Sequence, residues 1–226
     1  MFRVILTLIL LAGFGLGLGP GAASAARAEA AEPLPAARSD NPIADPNRSD
    51  YGYCFLCHGT EGIGSQPVAA PRIGGMESWY LERQLIAFQE GWRGTHPDDY
   101  QGGEMRAMAL ALGGNGAVKE VAEVFASYPA AHPPVTVQGD AQHGQMLYAP
   151  CAACHGEAGE GNAVLKAPAL ARQSDWYLVT QLQHYRDGVR GGDPADTLGQ
   201  QMRAMATSLT DDEAIRDLVA YINTFD

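Results

Sequence analysis

Cysteine and histidine recur in one pattern, Cys54-Phe55-Leu56-Cys57-His58 and Cys151-Ala152-Ala153-Cys154-His155. On a helix, positions i, i+3 and i+4 share a face. Two thiols so placed can add to the vinyl groups of one haem while the adjacent imidazole reaches its iron, the attachment pattern of a c-type haem. Zinc is the main rival, because Cys-x-x-Cys pairs also build tetrahedral sites. The two pairs lie 97 residues apart, however, against the ~15–20 usual within one zinc site. A thioredoxin-like redox pair needs an alternating strand–helix context and leaves the histidine without a role. The expected chemistry is covalent haem at both motifs.

An iron held by one histidine has a second face, and what fills it separates electron transfer from catalysis. A ligand serving both motifs must recur in both copies. Of the six histidines, His96, His132, His143 and His184 have no histidine at the 97-residue offset and read as exposed or loosely packed. Of the seven methionines, only Met105/Met202 and Met108/Met205 pair up. Each pair follows a Gly- and Pro-containing loop, Gly91 to Glu104 and Gly188 to Gln201, long enough to wrap around the far side of the ring. Members three residues apart share a helix face, so spacing alone does not choose between them.

The offset extends well beyond the motifs. Over residues 54–128 against 151–225, 26 of 75 positions are identical without a gap, which marks an internal duplication. Pro129-Ala130-Ala131-His132-Pro133-Pro134 between the copies is stiff and helix-breaking. Each copy reads as a small all-α unit. Asp45-Pro46 and Asp140 begin the cysteine helices. A second helix spans Trp79 to Glu90 and Trp176 to Asp187, with Ser78 and Asp175 as caps and Gly91 and Gly188 at the ends. Thr210-Asp211-Asp212-Glu213 has a capping-box pattern before a last helix. Copy one has Gly113-Gly114-Asn115-Gly116 there, which predicts a looser start.

The 226 residues carry a formal charge of −11, with 46% hydrophobic and 18% charged residues. That composition is globular, and its acidity excludes a nucleic-acid partner. Met1-Phe2-Arg3, an apolar run from Val4 to about Leu18 and Ala23-Ser24-Ala25 read as an export signal cleaved near Ala25, the alternative being a retained anchor. The organisation expected is a leader (1–25), an N-terminal extension (26–44), a first domain (45–128), a linker (129–139) and a second domain (140–226). Export points to a bacterial periplasm.

Together these residues resemble the cytochrome c4 family of dihaem periplasmic cytochromes. The likeness rests on the two Cys-x-x-Cys-His-Gly motifs, the Pro71-Arg72-Ile73 and Pro168-Ala169-Leu170 triplets, the Tyr-Leu-x-x-Gln-Leu helix starts and the Met-x-x-Met segments. It implies two tandem class I cytochrome c domains with two covalent haems c. Cys54, Cys57, Cys151 and Cys154 would form the thioethers, and His58 and His155 would be proximal ligands. It also implies Met105 and Met202 as the axial ligands, seven residues before Leu112 and Leu209, leaving Met108 and Met205 to pack. The carbonyls of Pro71 and Pro168 would orient the proximal imidazoles.

The resemblance implies a carrier of single electrons, not an enzyme. Its partners would be redox proteins: a quinol-oxidising complex, a terminal oxidase, a reductase or a dehydrogenase, with membrane association only through them. The alternative is a catalytic dihaem enzyme, such as a peroxidase or a thiosulfate-oxidising cytochrome. Four repeated arginines, Arg93/Arg190 and Arg106/Arg203, read equally as haem-propionate partners or as surface charge. Phe55 and Leu56, opposite Ala152 and Ala153, read as either an exposed apolar patch or a packing difference.

Overall fold

A computed structural model describes residues 52–225, which lie within one unit spanning 37–226. The expected leader, the N-terminal extension and the Asp45-Pro46 helix start lie outside the described residues. Each half contributes four α-helices among those residues: α1 (Gly52–His58), α2 (Ser78–Gln89), α3 (Tyr100–Ala111) and α4 (Asn115–Ala126), then α5 (Ala141–His155), α6 (Asp175–Arg186), α7 (Thr197–Ala206) and α8 (Asp212–Ile222). The only strand-like pairings described are two isolated bridges, Ser65 with Ala70 and Asn162 with Ala167. None of the described helices is long and apolar enough to cross a membrane.

In the first half α2 packs against α3 and α4; in the second, α6 packs against α7 and α8 while α5 lies along α8. Leu81, Leu112, Val121 and Phe125 form the first core, and Tyr148, Leu178, Ile215, Leu218 and Val219 the second. Phe55 joins the first core, with ring centroids 5.2 Å from Phe125 and 6.1 Å from Tyr128. Its neighbour Leu56 is left exposed, at 78%. The second half has Ala152 opposite Phe55 and fills its core instead with a Tyr148, Tyr221 and Phe225 cluster.

Helix starts differ from expectation by one residue, for a physical reason. Ser78 and Asp175 are the first residues of α2 and α6, and Glu77 and Ser174 stand at the N-caps without capping them. The oxygens of Glu77 and Ser174 accept hydrogen bonds from the opposite half instead. The start of α8 is capped by Asp211, not Thr210. Its carboxylate accepts from Ala214 N at 2.8 Å, and a charged acceptor makes the stronger bond. Gly114 opens α4 with no side-chain cap, the looser start expected there.

Asp175 is 1% exposed and anchors the end of the linker. Its carboxylate accepts from Thr136 N (2.6 Å), Thr136 Oγ1 (2.7 Å), Val137 N (2.7 Å) and its neighbour Trp176 N (2.7 Å). Burial opposes its charge, but these hydrogen bonds outweigh burial and hold the carboxyl below its ordinary value. Asp175→Ala strands several buried donors and should cost on the order of 3 kcal/mol in chemical denaturation, clearly more than removing the exposed α8 cap with Asp211→Ala. A carboxylate of lowered pKa stabilises fully above the unfolded value near ~4 and loses its contribution as pH falls through the folded value. The stability gap between wild type and Asp175→Asn should therefore close on acidification.

Candidate functional site

Both Cys-x-x-Cys-His segments end a helix, α1 and α5, and both histidines are buried, at 5% and 6% exposure. His58 Nδ1 lies 2.8 Å from Pro71 O and His155 Nδ1 lies 2.8 Å from Pro168 O. A carbonyl only accepts, so each Nδ1 carries the proton and each Nε2 keeps its lone pair. Burial pushes both imidazoles below their ordinary pKa, and the bond to the proline carbonyl offsets only part of that. They are therefore neutral, as metal-binding imidazoles must be. Burial also pushes the Cys54 thiol up to about 11 and raises Cys151.

The loops after the motifs bring the proline carbonyls back to the imidazoles. Gly64 N bonds His58 O at 2.7 Å and Gly161 N bonds His155 O at 2.8 Å. Both glycines have positive φ, 90° and 83°. A Cβ would lie 2.7 Å from Arg72 N at Gly64 and 2.5 Å from Ala169 N at Gly161. No other residue lets the loop press so closely on the peptide that follows each proline.

A cavity of about 440 Å³ in the first half is lined by Cys54, Cys57, His58, Pro71, Met105 and Met108, and a smaller one of about 100 Å³ by His155, Pro168 and Met202. Each is walled in part by the other half: Tyr177, Gln181 and His184 reach the first, Met76, Tyr80 and Gln84 the second. All four methionines sit on helices, α3 and α7, where a loop end was expected. Met105 and Met202 are half-buried. Met108 and Met205, one turn further along the same helices, are 37% and 41% exposed. Their neighbours Ala109 and Ala206 are buried in the core, at 0% and 1% exposure.

The two halves meet over buried charge. Arg93 and Arg190 are 6% and 4% exposed, so the surface-charge reading fails for this pair. Arg93 donates to Gln84 Oε1 (2.8 Å) and across to Gln181 Oε1 (3.1 Å); Arg190 donates to Gln181 Oε1 (2.7 Å) and across to Gln84 Oε1 (2.7 Å). Arg83 pairs with Asp196, and His184 Nδ1 lies 3.7 Å from Asp99 Oδ1, also across the halves. His184 is thus an interface residue, not a loose one. The Nε atoms of Arg93, Arg190 and Arg106, with Trp79 Nε1 and Gln84 Nε2, are buried without a described hydrogen-bond partner. Unmet donors beside buried cations fit an acid-bearing ligand, such as the propionates of haem. Arg203 is exposed.

Sequence reasoning missed the residues that join the halves. The Pro71–Arg72 peptide donates its N–H to Ser174 Oγ (3.2 Å), and the Pro168–Ala169 peptide donates its N–H to Glu77 Oε1 (3.0 Å). Positions 77 and 174 correspond at the 97-residue offset but hold unlike residues. A search for repeated identities passes over them.

A cytochrome c family model matches residues 141–226. The thiosulfate dehydrogenase electron acceptor of Stutzerimonas stutzeri is 32% identical over 164 residues, covering 68% of this chain and 72% of that protein. Cytochrome c4 of Thiocapsa roseopersicina is 28% identical, covering 76% of this chain and 88% of the relative. The solved cytochrome c4 of Acidithiobacillus ferrooxidans superposes with a TM-score of 0.63 at 25% identity, over 77% of this chain and 99% of that one. Sequence and fold agree across both halves, and with them the all-α class and the covalently bound haem c. The chain is an electron-carrying c-type cytochrome and belongs to the cytochrome c4 family.

Proposed function

We propose that this protein shuttles single electrons between periplasmic redox partners through two haems c. Cys54, Cys57 and His58 with Met105 would hold one, and Cys151, Cys154 and His155 with Met202 the other. The observation that carries this reading is the matched geometry of the halves: a buried imidazole with its Nδ1 proton given to a proline carbonyl, and a methionine on the wall of the same cavity. Bound haem supplies a reversible one-electron couple at its iron. The chain supplies the rest. Four thiols would fix the attachment, the proline carbonyls hold each imidazole's orientation, and Met105 and Met202 would supply the second ligand that excludes exchangeable ones. Arg93, Arg190, Trp79 and Gln84 offer the donors that propionates need.

The N-terminal run ending near Ala25 supports export and cleavage there. A relative named as the electron acceptor of thiosulfate dehydrogenase supports a dehydrogenase as one partner; a quinol-oxidising complex, terminal oxidase or reductase fits the same chemistry. The formal charge of −11 favours a basic docking surface on that partner. Any membrane contact would be indirect, through these proteins.

Mass spectrometry of the mature protein should read a chain beginning at Ala26 with two added haems. A zinc-loaded chain without haem ends the reading. With both irons six-coordinate, the reduced protein should bind carbon monoxide poorly at neutral pH and turn over no appreciable peroxide. Fast stoichiometric binding at one haem selects the catalytic alternative.

Met105→His or Met202→His should keep a six-coordinate iron, abolish that haem's methionine-sulfur absorption in the red and lower its potential, since a thioether raises potential relative to imidazole. Met108→Leu and Met205→Leu should change stability by under about 1.5 kcal/mol and leave the spectrum alone. Loss of the methionine-ligated spectrum in the leucine variants instead moves the ligand by one helical turn.

A further inference from the structure

The peptide that orients each proximal imidazole has two ends, and only one faces its own half. His155 Nδ1 donates to Pro168 O at 2.8 Å. The N–H of that same peptide unit belongs to Ala169 and donates to Glu77 Oε1, in the first half, at 3.0 Å. In the mirror arrangement His58 Nδ1 donates to Pro71 O, and the N–H of that unit, on Arg72, donates to Ser174 Oγ in the second half. One relay therefore ends on a carboxylate and the other on a hydroxyl.

Glu77 is tightly seated. A Cβ at Gly161 would lie 2.9 Å from its Oε1, and its Oε2 is buried with no described hydrogen-bond partner. The nearby Arg72 guanidinium donates to the carbonyls of Arg172 (2.5 Å) and Gly74, and among the described residues the Glu77 carboxylate accepts one hydrogen bond, from Ala169. A carboxylate accepting from a peptide N–H polarises that peptide and strengthens its carbonyl as an acceptor. A more strongly held Nδ1 proton makes Nε2 the better donor to a metal.

We propose that Glu77, carried by the first half, is a positioning residue that lowers the reduction potential of the second half's haem through the Pro168–Ala169 peptide and the His155 ring. The inference rests on the reading of His155 as an iron ligand. An electron-rich imidazole and a nearby negative charge both favour the oxidised iron. Ser174 provides no such charge to the first half. Each haem's potential is then a property of the joined halves, and the second is set partly from outside its own domain.

The test is a spectroelectrochemical titration of the purified holoprotein and its Glu77→Gln variant, with Met202→His marking which step belongs to the second haem. Glutamine keeps the size and the acceptor but removes the charge, and the side chain does not cap α2, so the fold is preserved. In Glu77→Gln the second-haem step should rise by roughly tenfold in its reduction equilibrium, about 59 mV for one electron, while the first-haem step stays near its place. In the reduced protein the His155 Nδ1–H proton resonance should move upfield and that of His58 should not. An unmoved titration and an unmoved His155 resonance, in a protein whose Met202→His variant does shift one step, overturn the proposal and leave the ligand reading standing. A shift confined to the first-haem step also overturns it. A Met202→His variant that moves neither step overturns Met202 as the ligand but not His155, and the His155 resonance in Glu77→Gln then decides the case for Glu77.

Discussion

An imidazole can give a lone pair to a metal only from the nitrogen that has lost its proton, so the other nitrogen needs a fixed place to put one. Here that place is a proline carbonyl thirteen residues on, in both halves. Proline has no N–H of its own to compete, and its fixed φ narrows where the carbonyl can point. The loop must then fold back within thirteen residues, which explains glycine at 64 and 161, where backbone presses on backbone. Helix end, loop and core all serve this one hydrogen bond.

The second constraint is buried charge. Arg93 and Arg190 sit between the halves, each over an aromatic ring at 4.4 Å, Phe88 and Tyr185. Two like charges so close to an interface repel, and burying them costs free energy unless their donors are met. Glutamine carbonyls meet some of them, and the unmet Nε atoms face the same region as the cavities. The interface therefore holds donors that the acidic groups of a ligand could meet, beside its protein–protein contacts.

Much of this was legible in the sequence because duplication leaves residues of equal role at equal offset. The cysteines, the two motif histidines, Pro71 and Pro168, and the paired methionines stand out that way. What stayed hidden had local causes. Gly102 and Gly199 argue against a helix at the methionines by propensity, yet they are there because a Cβ would collide with the capping Asp99 and Asp196. Phe55 and Leu56 read as either a surface patch or a packing difference; Phe55 packs on Phe125 and Leu56 is exposed, and only the tertiary fold separates them. Glu77 and Ser174 stayed hidden because contacts between copies join unlike positions, Glu77 to Ala169 and Ser174 to Arg72.

Those crossed contacts bear on how such a molecule can change over time. When two identical units first join, either can be deleted and the other still stands. Here each unit lends a side chain to a peptide of its neighbour, and each covers the other's buried arginine. A gene encoding one unit alone would inherit a bare N–H beside its own histidine and a cation stranded at its surface. Positions 77 and 174 can differ because each now serves the opposite unit.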